Sequence, residues 1–153
     1  MKDNGRILFP VDLTESSEKL VPEVLVITAK FDAELHILFV IRIFQYFSSI
    51  YVPHPSIDVF ENELVEGGQK KMNEFVQTYF ADMNKVTSEV ILGDPAETIV
   101  DYVGRHNMDM VIMGTHGRKG LDRVIFGSVA ERVIKTSPVP VLVMNPFRDE
   151  KPR

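Results

Sequence analysis

The sequence contains no cysteine and no long run of apolar residues. Without cysteine, neither a disulfide framework nor thiol catalysis is possible. No stretch approaches the roughly 18 apolar residues that a membrane span needs. The opening residues MKDNGRILFPVD also lack the apolar core of a signal peptide. We therefore expect a cytoplasmic protein that does not bind membranes.

Basic charge is also scarce, since 17 lysines and arginines face 22 aspartates and glutamates, for a net charge of −5. A protein that binds nucleic acid in general needs a basic face, so we expect none of that activity. The 153 residues are 44% apolar, which is enough for one domain with its own core. We expect this single domain to cover residues 1–153.

The apolar pattern alternates between strands and helices along the chain. Apolar residues three or four apart predict a helix over residues 58–84. Asp94, Pro95 and Glu97 predict the start of another helix, with a capping box. Pro22 predicts a kink or a late start in the first helix. Residues 42–57 are the least regular, and a flap, a partner-facing loop and a surface insertion all fit them. The predicted strands are 6–11, 34–41, 85–92, 108–113 and 139–144, and the later helices are 95–106 and 128–136.

This alternation predicts an α/β fold, a single-domain doubly wound five-stranded parallel sheet with helices on both faces. In the strand order 3-2-1-4-5, the winding direction reverses between strands 1 and 4. Ligands bind at such a switch point, outside the carboxyl ends of the strands. Strand 1 ends at Asp12 and strand 4 ends at Gly114, so these residues mark the expected site.

The stretch MGTHGRKGLDRVIFGSVAERVIK holds four of the nine glycines. Gly114 and Gly117 allow a sharp turn and the approach of a ligand to bare backbone. Gly127 and Ser128 begin a helix, where free backbone N–H groups and the dipole suit a phosphate. Glycines that only build a loop and a helix cap remain an alternative. The stretch contains no G-x-x-x-x-G-K-[ST] loop, and it comes too late for a dinucleotide fold.

The spacing G-x2-G-x9-G-[ST] resembles the nucleotide-binding motif of the universal stress protein family. The segments ILFPVDLTESSEKLV, LHILFVI, GDPAETIVDYV and SPVPVLVM resemble further parts of that family in the same order, so the likeness covers almost the whole chain. The resemblance implies the ATP-binding branch, with ATP at the crevice between strands 1 and 4. It implies a Mg²⁺ or Mn²⁺ ion held mainly by the phosphates, and a regulator of stress response or signalling rather than an enzyme.

The resemblance also implies which residues contact ATP. The backbone of Val40 meets the adenine, Asp12 meets the ribose or a phosphate-bound ion, and the glycine motif surrounds ribose and phosphates. Asp12 has an alternative role as a simple helix cap. The full expected set is Pro10, Val11, Asp12, Val40, Met113, Gly114, Gly117, Arg118, Gly127, Ser128 and Val129.

The remaining candidates carry weaker expectations. Arg118, Lys119 and Arg123 lie in the nine-residue spacer and fit either a phosphate contact or a solvated loop. His116 fits a ligand contact, a base or an exposed histidine. No catalytic residue and no protein-ligated metal site are predicted, although a slow ATPase and an interaction module with a vestigial pocket remain alternatives.

The fifth strand is the expected site of a homodimer. Residues 139–144 are apolar throughout and end the sheet, which leaves unpaired backbone groups beside an apolar surface. Pairing around a two-fold axis closes such an edge, and the resemblance also implies a dimer of this kind. In the alternative, residues 145–153 fold over the edge and keep the protein monomeric. The sequence identifies no other protein partner.

Overall fold

The computed structural model describes residues 4–43, 54–115 and 127–148. Within these ranges, strands and helices alternate along the chain as the apolar pattern predicts. None of the described helices is long and apolar enough to cross a membrane. The elements are β1 (Arg6–Val11), α1 (Glu15–Lys30), β2 (Glu34–Arg42), α2 (His54–Tyr79), β3 (Val86–Gly93), α3 (Pro95–Arg105), β4 (Met110–Gly114), α4 (Ser128–Thr136) and β5 (Val141–Met144).

The five strands form one parallel sheet in the order β3-β2-β1-β4-β5. The predicted fold class and strand order are therefore confirmed. β1 pairs with β2 along its whole length, whereas its ladder with β4 joins only Ile7 to Met110 and Leu8 to Val111. Pro10 supplies no backbone N–H to extend that ladder. The switch point between β1 and β4 is thus left unpaired toward the carboxyl ends of these strands.

The sheet separates two apolar layers, because neighbouring residues of a strand face opposite sides. Phe9 of β1 lies in the layer beneath α1 and α2, and Leu8 lies in the layer beneath α3 and α4. Side chains with no measurable exposure occur in both layers. They include Ile7, Phe9, Val24, Leu35, Ile37, Met72 and Ile112 in the first layer, and Leu8, Leu38, Val111 and Val133 in the second.

Pro22 does not delay the start of α1, so that alternative is wrong. The helix begins directly after Thr14, whose side chain accepts a hydrogen bond from the backbone N–H of Ser16. Leu20, Val21 and Val24 are buried on its inner face, whereas Pro22 is exposed. Tertiary packing stabilises most helices more than intrinsic propensity does. In α1 this packing maintains the helix although Pro22 has no backbone N–H to donate.

α2 begins four residues earlier and ends five residues earlier than the predicted 58–84. Pro55 lies in the first turn, where its missing N–H has no acceptor within the helix in any case. After Tyr79 the chain turns, and Met83 N–H donates to the Phe80 carbonyl at 3.0 Å. Residues 54–57 belong to the segment predicted to be irregular but are helical, and residues 44–53 lie outside the described ranges.

The other boundaries differ by a few residues from the predictions. β4 begins at Met110 rather than at residue 108, and β5 begins at Val141 rather than at residue 139. Pro138 and Pro140 have no backbone N–H to donate, although the Pro140 carbonyl accepts from Val111 N–H at 3.0 Å. α4 has the predicted bounds.

Candidate functional site

A cavity of about 390 Å³ opens at the carboxyl ends of β1, β2 and β4, at the predicted switch point. Its walls come from these strands and from the first two turns of α1 and α3 and the first turn of α4. The predicted residues that line it are Pro10, Val11, Asp12, Val40, Met113, Gly114, Gly127, Ser128 and Val129. Gly117 and Arg118 lie outside the described residues, as do His116, Lys119 and Arg123.

The cavity also includes residues that the sequence did not reveal. They are Ser16, Ser17, Leu20, Leu38, Phe39, Arg42, Pro95, Ile99, Thr115 and Ala130. Leu38 and Arg42 lie two residues before and after Val40, so strand alternation gives a signal for them once Val40 is chosen. Pro95 and Ile99 belong to α3, and only the packing of that helix against β2 brings them to the site.

Asp12 lies at the end of β1, and its Oδ1 atom organises the turn into α1. Oδ1 accepts hydrogen bonds from Thr14 N–H at 3.0 Å, from Thr14 Oγ1 at 2.7 Å and from Ser17 Oγ at 2.7 Å. Asp12 N–H donates in turn to Ser17 Oγ at 3.0 Å. Thr14 is the N-cap residue. Asp12 therefore does not cap α1 itself but holds the capping residue in place through hydrogen bonds.

The second carboxylate oxygen of Asp12 has a different environment. Oδ2 is buried and has no hydrogen-bond partner among the described residues. An unsatisfied buried acceptor of this kind costs on the order of 1–3 kcal/mol, and more when it is charged. A hydroxyl donor or a cation supplied by a ligand would remove that cost. Asp12 therefore combines a structural oxygen with an unsatisfied one.

Leu13 allows the sharp turn that follows Asp12. Its φ angle is 58°, in the left-handed region that residues other than glycine adopt rarely. Unusual backbone conformations of this kind tend to occur at functional sites. Directly after it, Thr14 N–H donates to Asp12 Oδ1. The turn is therefore held by both an unusual backbone angle and the carboxylate.

The amino end of α4 forms the opposite wall of the cavity. Gly127 is the N-cap residue and supplies no side-chain cap, while its N–H donates to the Thr115 carbonyl at 2.6 Å. The next three residues, Ser128, Val129 and Ala130, line the cavity. Their N–H groups have no acceptor inside the helix, and the helix dipole adds partial positive charge there. This wall is suited to an anion.

A charged contact joins α3 to α4 next to the cavity. Arg132 Nη1 lies 3.0 Å from both carboxylate oxygens of Asp94, and Nη2 lies 3.5 Å from Glu97 Oε1. Asp94 also caps α3 by accepting from Glu97 N–H. That backbone hydrogen bond is the main reason why the pKa of Asp94 is lowered, with Arg132 and Arg42 contributing. Asp94 is the N-cap residue of α3, as predicted. The Glu97 side chain of the predicted capping box contacts Arg132 of α4.

The family model of the universal stress proteins matches residues 4–145. The chain belongs to the universal stress protein family. Universal stress protein MJ0531 of Methanocaldococcus jannaschii is 32% identical, covering 95% of this chain and 84% of the relative. MJ0577 of the same organism is 33% identical, covering 91% of this chain and 93% of its own.

Solved structures of universal stress proteins share the same architecture. The structure of MJ0577 matches with a TM-score of 0.80 at 31% identity, covering 94% of this chain and 96% of the other. UspA of Lactobacillus plantarum matches with a TM-score of 0.75 at 26% identity, covering 95% and 100% of the two chains. A third universal stress protein, solved in complex with cAMP, shares the fold with a TM-score of 0.58 at 19% identity.

Proposed function

We propose that this universal stress protein binds ATP in the cavity between β1 and β4 and acts as a nucleotide-dependent regulator of stress response or signalling. One observation carries the proposal. A single cavity brings the unsatisfied Oδ2 of Asp12 and the amino end of α4 to its two sides. A ligand that carries both hydroxyl groups and anionic groups satisfies both walls, and a nucleotide is such a ligand.

The phosphates of ATP fit the α4 wall. The N–H groups of Ser128, Val129 and Ala130 point out of the first turn, and phosphate groups bind readily at such helix ends. The Ser128 hydroxyl adds a further donor. A Mg²⁺ or Mn²⁺ ion would be held mainly by the phosphates, as such ions usually are. Among the described cavity residues, the Asp12 carboxylate is the only negatively charged side chain that could coordinate such an ion.

The base fits the apolar part of the cavity. Leu38 and Val40 of β2 face Pro95 and Ile99 of α3 across it. Apolar walls of this kind hold a flat ring, while a few polar groups fix its orientation. The backbone of Val40 supplies such a polar group by resemblance to the family. The ribose then lies between the base and the phosphates, within reach of Asp12.

Two further observations support a nucleotide ligand. The sequence G-x2-G-x9-G-[ST] resembles the motif of the ATP-binding branch of the family, and a protein with the same fold was solved in complex with cAMP. Binding without rapid turnover is the better interpretation, because phosphoryl transfer to water needs a residue that orients the water. The described cavity residues include no histidine, and the only carboxylate among them is that of Asp12.

Mass spectrometry of the bound nucleotide tests this proposal. The purified protein is incubated with Mg²⁺ and an equal mixture of ATP and cAMP, passed through a desalting column, and denatured to release its ligand. We expect intact ATP at close to one equivalent per chain. Recovery of cAMP would contradict the choice of ATP, recovery of ADP would favour an ATPase, and recovery of neither nucleotide would favour an interaction module.

A further inference from the structure

Arg132 of α4 contacts two acidic residues of α3. Its Nη1 atom lies 3.0 Å from both carboxylate oxygens of Asp94, and its Nη2 atom lies 3.5 Å from Glu97 Oε1. Asp94 also accepts from Glu97 N–H at 3.0 Å, so the same carboxylate caps α3 and binds α4. Hydrogen bonds between charged groups are among the stronger ones, and their geometry is specific. We call these three residues the α3–α4 clasp.

The clasp lies next to both walls of the cavity. Arg132 comes one helical turn after Ser128, so the two residues share a face of α4, and Ser128 belongs to the α4 wall. Asp94 directly precedes Pro95, which forms the apolar wall of α3 together with Ile99. The clasp residues themselves do not line the cavity. The clasp therefore joins the two walls from outside the cavity.

Apolar packing alone defines the position of α4 poorly. The helix has nine residues, and so short a helix is marginally stable by itself. Its buried side chains are Ala130 and Val133, and burial of apolar surface has no preferred direction. The N–H of Gly127 donates to the Thr115 carbonyl at 2.6 Å, which ties the amino end of α4 to the end of β4. The clasp supplies the corresponding directional contact to α3.

The clasp matters more for geometry than for stability. The side chains of Arg132 and Asp94 are 49% and 34% exposed, and exposed ion pairs contribute little to the free energy of unfolding. A ligand that spans both walls depends on their separation, because the binding of its first end makes the binding of its second end intramolecular. Walls that are already in place also reduce the cost of ordering them. A ligand confined to one wall gains nothing from the clasp.

We propose that Arg132 is a positioning residue for the nucleotide. By donating hydrogen bonds to Asp94 and Glu97, it fixes the distance between the apolar wall and the α4 wall, and the cavity thereby selects a ligand in which a base and a phosphate chain are joined across that distance. This inference rests on the proposed binding of ATP in the cavity. Adenosine and inorganic tripolyphosphate each fill one side of the cavity, so their binding does not depend on the clasp.

Comparison of ATP with its two parts tests the proposal. The affinities of ATP, adenosine and tripolyphosphate are measured in the presence of Mg²⁺ by displacement of a fluorescent ATP analogue. In Arg132→Gln we expect the affinity for ATP to fall at least about tenfold, while the affinities for adenosine and tripolyphosphate stay within about twofold of the parent values. Lys135→Gln is the matched control, because it removes one positive charge from the same helix and breaks only a pair within α4, with Glu131 at 2.6 Å. It should leave all three affinities unchanged.

The outcomes separate this inference from the proposed function. Equal affinity of the parent and of Arg132→Gln for ATP overturns the inference and leaves ATP binding intact. An equal loss for ATP and tripolyphosphate also overturns it, because Arg132 would then act through its charge on the phosphates. The same holds if Lys135→Gln weakens ATP binding as much as Arg132→Gln does. A parent chain that does not bind ATP overturns the proposed function, and this inference with it.

Spin labels measure the separation of the helices without any ligand. The chain has no cysteine, so Asp101→Cys on α3 and Lys135→Cys on α4 each carry one label, and both native side chains are well exposed, at 67% and 68%. Electron spin resonance gives the distribution of distances between the labels. We expect a wider distribution when Arg132→Gln is added, and an unchanged distribution overturns the proposal.

Thermal unfolding shows whether the variant chain is folded. We expect Arg132→Gln to unfold close to the temperature of the parent, because the clasp is exposed. Should this variant fail to fold, Arg132→Lys takes its place, since lysine keeps the charge but lacks the planar set of donors. The same loss of ATP affinity, with unchanged binding of adenosine and tripolyphosphate, is then expected, and its absence overturns the proposal.

Discussion

Asp12 gives its two carboxylate oxygens different surroundings, and this difference makes its proposed role testable. Oδ1 accepts three hydrogen bonds from Thr14 and Ser17, while Oδ2 is buried with none from the described residues. A substitution that keeps the first oxygen and changes the second separates folding from binding. Asparagine is such a substitution, because it has one acceptor oxygen and one NH₂ group.

We therefore predict that Asp12→Asn folds normally but binds ATP at least about tenfold more weakly, because hydrogen bonds to charged groups contribute about 1.5–3 kcal/mol. Fluorescence titration with a labelled ATP analogue measures the affinity, and urea unfolding measures the stability. Thr14→Ala serves as the control, since Thr14 does not line the cavity and its loss removes one contact of Oδ1 while leaving Oδ2 unchanged. Parental affinity in Asp12→Asn would show that Oδ2 does not meet the nucleotide.

At the scale of the element, α2 contains two adjacent glycines with different surroundings. A Cβ atom at Gly67 would meet no atom within 4 Å. At Gly68 it would come within 2.7 Å of Ile41 Cδ1 and 3.1 Å of Val90 Cγ1. Gly68 thus lets the helix approach the sheet closely, whereas Gly67 weakens the helix without such a compensation.

This contrast predicts different effects of the same substitution. Gly67→Ala should raise the free energy of unfolding by up to about 1 kcal/mol, the difference in helix propensity between glycine and alanine. Gly68→Ala should be less stable than Gly67→Ala by about 1 kcal/mol or more, since overpacking a core costs about 1–3 kcal/mol. Urea unfolding of both variants measures this difference. Equal stabilisation would mean that α2 does not pack this closely.

The N-cap of α3 predicts a dependence of stability on pH. The lowered pKa of Asp94 means that its ionised form stabilises the fold above the unfolded value of about 3.9. This contribution is lost as the pH falls through the lowered folded value. At pH 7, Asp94→Ala should reduce the free energy of unfolding by about 1 kcal/mol. The difference from the parent should shrink below about pH 4.

Urea unfolding at pH 7 and at pH 3.5 measures this effect, and Asp101→Ala is the matched control on the same helix. Asp101 is exposed and lies 3.8 Å from Arg105, so its loss should change stability by less than about 0.5 kcal/mol. A pH-independent loss in Asp94→Ala would assign its effect to packing rather than to the carboxylate.

The elements also show what the sequence predicts and what it does not. Local signals predicted the cap at Asp94 and the start of α4 at Ser128, because caps and apolar periods are short-range rules. The strand order followed from the doubly wound class that the alternation of strands and helices indicated. The continuation of α1 through Pro22 depends on packing against the sheet. The presence of Pro95 and Ile99 in the cavity depends on the packing of α3 against β2, between distant parts of the chain, so no local pattern revealed it.

At the scale of the whole molecule, β5 remains the expected dimer edge. Leu142 is 38% exposed, and no residue of β5 is fully buried. The described part of the tail contacts α1 instead, through the ion pair of Arg148 with Glu23 and the contact of Lys19 with the Phe147 ring. These contacts favour an open edge over a tail that folds across β5.

We predict that the protein sediments as a dimer at micromolar concentration and that Leu142→Lys shifts it to the monomer, because a charge would lie between the paired edges. Val26→Lys is the control, since Val26 on α1 is 67% exposed and lies outside the proposed interface. Sedimentation velocity distinguishes the two species. A parental monomer, or a dimer that Leu142→Lys leaves intact, would exclude the β5 interface.

The amino end of α4 provides the most direct test of nucleotide binding. Gly127 has φ −69° and ψ 158°, which valine also adopts readily, so Gly127→Val adds bulk at the proposed phosphate site without straining the backbone. Gly67→Val adds the same side chain at an exposed helix position with nothing within 4 Å. Thermal unfolding first establishes that both variants fold.

Isothermal titration calorimetry with ATP and Mg²⁺ then compares the two variants with the parent chain. We predict saturable binding of one ATP per chain in the parent and in Gly67→Val. In Gly127→Val we predict at least about a hundredfold loss of affinity, equivalent to about 2.7 kcal/mol. No detectable binding in the parent, or equal affinity in the parent and a folded Gly127→Val, would contradict the placement of ATP at the α4 end of this cavity.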